Sequence, residues 1–331
     1  MCVAVSDSQR TIANPPGASD ASDVPDSDDD EDNGEDDDED DDSDEADDSD
    51  GDDRWVDVAD NYIGNNIPFT GSQSFNMPDE PHDNPSEIFK LFLTDDIIGL
   101  IVAETNIFAN DFINGPASTP AIRNKYRTWT AVDDDEICKF LGVLFVMGIV
   151  KKPRISDYWE VDPVTVTPFI RTVMSRRRFQ RILKFIHFDS AGPAHDGDRI
   201  FKLRVIQQMI IARFQQVYTP GREVSIDEAM MLWRGRLMFR QYIPGKRHKY
   251  GVKMFMLCEP NGYVYNFNLY TGKSEPMPGF GLAETAVLRL IEPLLDEGRE
   301  LYIDNYYTSY PLAQELLRRR TTMVGTLRTN R

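Results

Sequence analysis

Cysteine is scarce: Cys2, Cys138 and Cys258 are the only three in 331 residues, and no CxxC or clustered Cys/His spacing joins them. That excludes a zinc-ligand pattern, and sparse, unpaired cysteine fits a reducing compartment. Long apolar runs are missing as well. None approaches the ~20 residues needed to span a bilayer, and the first 20 residues lack the basic start and apolar core of a secretory signal. The expectation is a soluble intracellular protein without membrane contact. Lys and Arg are absent from residues 20–53, which hold 23 Asp and Glu. The formal net charge of −20 belongs to that stretch, because residues 54–331 carry 32 acidic against 35 basic side chains. From 201 to 331 the balance is 19 bases to 12 acids. Such a surplus permits polyanion binding.

Residues 1–54 have too few apolar side chains to offset chain entropy and read as a disordered acidic tail. That tail is either a solvated, self-repelling segment or a DNA mimic or histone-binding segment. Residues 55–84, with Trp55, Phe69 and Phe75 among Pro, Gly and Asn, read as an extended linker. Residues 85–220 read as a helical domain. Thr94 can cap a helix carrying Ile97, Leu100, Ile101 and Phe108. Asp133 opens a second, with Ile137, Phe140, Leu141, Leu144 and Phe145 as its stripe. Ser175 caps a third, with Phe179, Ile182, Leu183 and Ile186 on one face, and a fourth covers 201–217. From 221 to 331 the pattern changes. A strand-like run from Val224 meets Asp227, strands follow at 250–258 and 263–270, a helix at 282–296, a strand at 301–304, a helix at 309–319 and a strand at 322–327. The fold class is α/β, with a mixed sheet behind a helical region.

Two acids stand out by context: Asp227, expected at the end of the first strand, and Asp304, at the end of a later one. Groups at strand ends project into the crevice where α/β sheets bind ligands. If the two strands are neighbours, the carboxylates can share divalent ions such as Mg²⁺, the usual requirement for cutting or joining a phosphodiester. Each acid alone is also compatible with a turn or cap role, Asp304 more so than Asp227. Glu228 should point to the opposite face and is a poorer co-ligand. Between the two acids lie Arg234, Arg236, Arg240, Lys246, Arg247, Lys249 and Lys253, interleaved with Trp233, Phe239, Tyr242 and Tyr250. Basic side chains neutralise phosphates and aromatics offer stacking surfaces; a solvated strand face is the alternative. Arg176, Arg177 and Arg178 fill the first turn of the third helix, with Arg181 and Lys184 beyond. Positive charge there opposes the helix dipole. An external anion would explain it, and so would a screened, solvated face.

Residues 223–257 and 301–330 resemble the stretches around the first two catalytic aspartates of the piggyBac-type DDE transposases. Residues 89–108, 129–159 and 174–188 resemble the helical N-terminal domain of the same family. The resemblance covers about residues 85–331. It implies a partial RNase H-like catalytic domain over 221–331, preceded by a DNA-binding or dimerisation domain. It matches Asp227 and Asp304 to two members of a triad that binds two Mg²⁺ ions. It further implies DNA partners, namely transposon ends and TTAA-type targets, together with a homodimer and a nuclear location. The family's third aspartate and its cysteine-rich module lie downstream of the matched stretches. The expectation is therefore little or no transposase activity from these 331 residues alone. A domesticated, non-catalytic DNA- or chromatin-binding protein is the alternative, and a metal-dependent nuclease of unrelated fold is a third reading.

Overall fold

The computed structural model describes residues 67–77, 84–189, 198–243, 249–272 and 276–327. The expectations for the acidic tail, for Trp55, and for Lys246 and Arg247 lie outside those residues. All the described residues fall in one unit, Ile67–Arg331. A short strand, β1 (Ser74–Phe75), precedes seven helices: α1 (Pro85–Phe92), α2 (Asp95–Asn114), α3 (Pro120–Tyr126), α4 (Asp134–Ile149), α5 (Pro168–Val173), α6 (Arg176–Phe185) and α7 (Phe201–Val217). The chain then turns to β2 (Tyr218–Thr219), β3 (Glu223–Leu232), β4 (Gln241–Tyr242), β5 (Tyr250–Cys258), β6 (Val264–Leu269), α8 (Leu282–Ile291), β7 (Glu300–Ile303), α9 (Tyr310–Arg318) and β8 (Thr322–Val324). Among the described residues, no helix is long and apolar enough to cross a membrane.

Local chemistry explains most helix starts. Asp133, Ser175 and Ser309 each accept a backbone N–H from the first turn of α4, α6 and α9. Thr94 occupies the N-cap position of α2 without a side-chain cap bond. The short helices α1, α3 and α5 all carry Pro in their first turn, the position where proline costs no hydrogen bond. The buried stripe of α4 is Ile137, Phe140 and Val143, whereas Leu144 and Phe145 are exposed. That rotates the expected stripe, and Phe145 instead meets Phe89 of α1 edge-on at 5.4 Å. On α6, Phe179, Ile182 and Phe185 are buried and Leu183 faces outward.

Two apolar cores result. The helical core gathers Ile97 and Ile101 of α2, Phe140 of α4 and Phe179 and Ile182 of α6. The second packs the sheet residues Val224, Ile226, Leu257, Leu301 and Ile303 under α8 and α9. In the sheet the order is β4-β5-β3-β7-β8, with β6 on the β4 side of β5. The β3, β5 and β6 strands are antiparallel, and β7 and β8 run parallel to β3. Three antiparallel strands followed by two parallel ones, reached through helices on one face, make the RNase H-like arrangement. One expectation needs correction: β3 does not stop at Asp227 but continues to Leu232, because its register with β5 is unbroken from Ser225↔Cys258 to Leu232↔Gly251. Asp227 therefore lies inside a strand.

Residues 67–77 form a strap across the start of β3 and β7. The strap's β1 pairs with β2, Thr70 N–H donates to the Glu297 carbonyl at 2.8 Å, and Asn76 N–H donates to the Val217 carbonyl at 2.9 Å. Buried Glu259 gathers donors from Gln73, Tyr218 and the Gly221 N–H. Gly298 adopts φ +77°, and a Cβ there would collide with the Pro68 carbonyl oxygen at 2.2 Å, so only glycine lets the strap lie this close.

Candidate active site and nucleic-acid interface

The parallel ladder between β3 and β7 runs from Glu223↔Glu300 to Ile226↔Ile303. One step further in that register brings Asp227 beside Asp304. Strand side chains alternate between faces and neighbouring strands lie about 4.8 Å apart. Val224, Ile226, Leu301 and Ile303 point into the core under α8 and α9, so both aspartates share the opposite face, and both are exposed. Each carboxylate is oriented by a nearby backbone group. Asp227 Oδ1 accepts the Glu228 N–H at 2.7 Å, and Asp304 Oδ1 accepts the Tyr306 N–H at 2.9 Å. The second contact is an Asx-type turn. The structure thus gives Asp304 a turn role and a place beside Asp227 at once. Among the described residues, no group of three or more His, Cys, Asp or Glu side chains is placed to hold a metal ion.

Contacts that the sequence reading did not foresee fix the spacing of these strands. Glu228 points away from the aspartates, as strand alternation requires, and its Oε2 accepts the hydroxyl of fully buried Tyr307 at 2.8 Å. Burial, and then the Glu228 carboxylate, push the Tyr307 phenol far above its ordinary range, so it remains a donor at every working pH. This contact ties the residue after Asp227 to the loop after Asp304. At the other end, Arg299 is fully buried. Its Nη1 donates to the Pro220 and Gly221 carbonyls, its Nη2 donates to Glu297 at 2.7 Å, and its guanidinium lies 5.1 Å from the Phe69 ring centre. The acid-bearing strands are therefore pinned both before and after the acids. Tyr307→Phe is expected to lower stability by about 1–2 kcal/mol in a denaturant titration, because Glu228 loses its buried donor. An unchanged midpoint would show that the pin carries no load.

The basic residues divide by environment. Arg178 forms a two-pronged pair with Glu136, donates to the Thr130 and Ala131 carbonyls and lies over the Trp129 ring at 4.5 Å. Arg181 donates to Thr128 and to the Lys125 carbonyl, and Lys184 sits over Phe112 at 5.0 Å. Much of the anion expected to offset this cluster is thus internal: Glu136 from α4, a partner too distant in sequence to be read from local spacing. Arg176 and Arg177 are exposed. Lys253 is half-buried among the rings of Phe255, Tyr270 and Tyr306. Arg234, Arg236, Arg240 and Lys249 are exposed on the hairpin beyond β3, together with Trp233, Tyr242 and Tyr250.

The topology is that of an RNase H-like mixed sheet, the class of fold found in transposases. Residues 84–331 match the family model described as Transposase IS4, and the chain belongs to that family, in its piggyBac-type DDE branch. Human PiggyBac transposable element-derived protein 3 is 27% identical over 249 residues, which are 74% of this chain and 40% of that protein. Human PiggyBac transposable element-derived protein 2 is 26% identical over 251 residues, again 74% of this chain and 40% of that protein. The cryo-EM structure of the piggyBac transposase synaptic complex with hairpin DNA superposes with a TM-score of 0.65 at 32% identity, covering 75% of this chain and 52% of that one. The chain thus spans about 40% of the length of these two curated relatives.

Proposed function

We propose that the chain is a DNA-binding, piggyBac-transposase-derived protein in which Asp227 and Asp304 are two carboxylates of a divalent-metal site for phosphodiester chemistry. The observation that carries this is the in-register parallel pairing of β3 and β7, which brings both acids to one exposed face. The donor set fits the metal: hard carboxylate oxygens open to solvent suit Mg²⁺, which keeps several waters and also binds phosphate oxygens. A bound ion supplies Lewis-acid activation of the phosphodiester. The protein's own part is to hold the carboxylates side by side, through the two pins, and to hold DNA with the exposed basic hairpin. Transposon ends and TTAA-type targets, a homodimer and action in the nucleus complete the proposal. Strand cleavage is assigned to a site in which a further acidic ligand joins these two.

The test is DNA affinity across a salt series. The chain should bind duplex DNA, with log K falling as log salt rises by about 0.9 per phosphate contacted. Arg234→Ala with Arg236→Ala should shallow that slope by roughly 1–2. An absence of binding at low salt would sink the proposal. Binding without any divalent-ion affinity would leave a non-catalytic DNA-binding protein as the better reading.

A further inference from the structure

The face that carries Asp227 does not end there. By strand alternation Asp227, Ala229, Met231 and Trp233 lie on one side of β3 and its continuation. Trp233 N–H donates to the Tyr250 carbonyl at 3.4 Å, which carries the β3–β5 register one step beyond Leu232↔Gly251. Tyr250 in turn pairs with Tyr242 of β4, and the two rings stand 4.7 Å apart, tilted by 39°. Three aromatic side chains from three adjacent segments thus form a row across the hairpin. Their relative exposures are 45% for Trp233, 47% for Tyr242 and 47% for Tyr250. Three neighbouring rings half open to water are unusual for a surface that meets only solvent.

Two further features favour a nucleic acid over an apolar protein partner. Residues 229–258 contain seven Lys and Arg and no Asp or Glu, and Arg240 lies over the Tyr250 ring at 5.0 Å. Trp233 is also held in place. A Cβ on Gly235 would lie 2.9 Å from the indole Nε1, so the ring packs over the Gly235 backbone, and Arg234 and Arg236 are the sequence neighbours of that glycine. Exposed rings with a guanidinium packed against one of them, on a strongly basic segment, suit sequence-tolerant stacking of unpaired bases.

We propose that Trp233, Tyr250 and Tyr242 form a stacking platform for unpaired nucleotides of the bound DNA, placed along β3 from the carboxylate pair. Six residues at about 3.3 Å each set Trp233 about 20 Å from Asp227 along the strand, a span of about six nucleotides. The platform rests on the DNA-binding reading above and adds the form of DNA held: a single-stranded extension or an opened duplex end.

The experiment uses the full 331-residue chain and two probes, a blunt duplex of about 20 base pairs and the same duplex with a single-stranded extension of about six nucleotides. Fluorescence anisotropy at fixed salt gives both affinities. The extension should tighten wild-type binding by roughly ten-fold or more. Trp233→Ala and Tyr250→Ala should each remove most of that gain, weakening the extended probe several-fold more than the blunt duplex, and Trp233→Phe should retain it. Tyr242→Ala, at the outer edge of the row, serves as a further variant, and circular dichroism melts confirm that each variant is folded. A wild-type chain that gains nothing from the extension overturns the platform alone, and so do alanine variants that weaken both probes equally. A wild-type chain that binds neither probe overturns the DNA reading and the platform with it.

Discussion

Asp304→Asn is expected to weaken binding of Mg²⁺ or Mn²⁺ by roughly a hundred-fold or more while leaving the thermal midpoint within about 2 °C of the parent. The first half follows from ligand chemistry. Changing a group that merely orients a metal ligand costs about 10–100-fold in affinity, and in the proposed site the substitution removes one of two charged ligands. The second half follows from the turn. Asp304 Oδ1 accepts the Tyr306 N–H, and an asparagine carbonyl oxygen can accept the same bond, so the amide keeps the loop while deleting the charge. Exposed substitutions that preserve local bonding stay within about 0.5 kcal/mol, which for a unit of this size is a degree or two. Asp304→Ala removes both functions and should add a stability loss of about 0.5–1.5 kcal/mol. Isothermal titration or Mn²⁺ paramagnetic resonance measures the first effect and a calorimetric scan the second. Equal divalent affinity in Asp304→Asn, Asp227→Asn and the parent would reduce the two aspartates to turn and strand residues.

Arg299→Ala is expected to cost about 3–5 kcal/mol, the range for removing one member of a buried, hydrogen-bonded charged group, and to lower the thermal midpoint by roughly 10 °C. The carbonyls of Pro220 and Gly221 lose their donor, and Phe69 loses the cation beneath it. The Glu297 contact contributes less, because that carboxylate is 43% exposed and water can replace its partner. Arg299→Lys should fall between, since an ammonium keeps the charge but lacks the planar fork that serves two carbonyls and a carboxylate together. Hydrogen exchange should show residues 67–77 losing protection before the sheet does. A midpoint unchanged by either substitution would mean that the strap and strands are held by other contacts.

Much of this was legible in the sequence wherever a local rule applied. Asp133 and Ser175 mark helix starts because a cap is a contact between residues three apart. The C-terminal end of β5 follows from an apolar run closed by Pro260, Asn261 and Gly262, and strand context singled out the runs that lead to Asp227 and Asp304, which the fold makes parallel neighbours. The failures were non-local. Nothing near Arg178 announces Glu136, 42 residues away, and nothing near Glu228 announces Tyr307, 79 residues away. Arg299 reads as one more surface base until the fold closes around it. The length of β3 was misjudged because Ala229, Met230 and Met231 have weak strand preference; pairing with β5 overrides it. One usable signal went unread. If Asp227 faces the crevice, Glu228 must face the core, and a carboxylate aimed at a core calls for a buried donor.

The side chains of the two pins bond to groups other than the two aspartate carboxylates. Glu228–Tyr307 and Arg299 act on positions before and after them, and an amide at either acidic position can accept the same backbone N–H, so the frame persists when the two charges are lost. Inherited change can therefore separate the two properties. A gene copy whose acids drift to amides keeps its architecture and escapes clearance as a misfolded product, so the scaffold persists without the charges it holds in register.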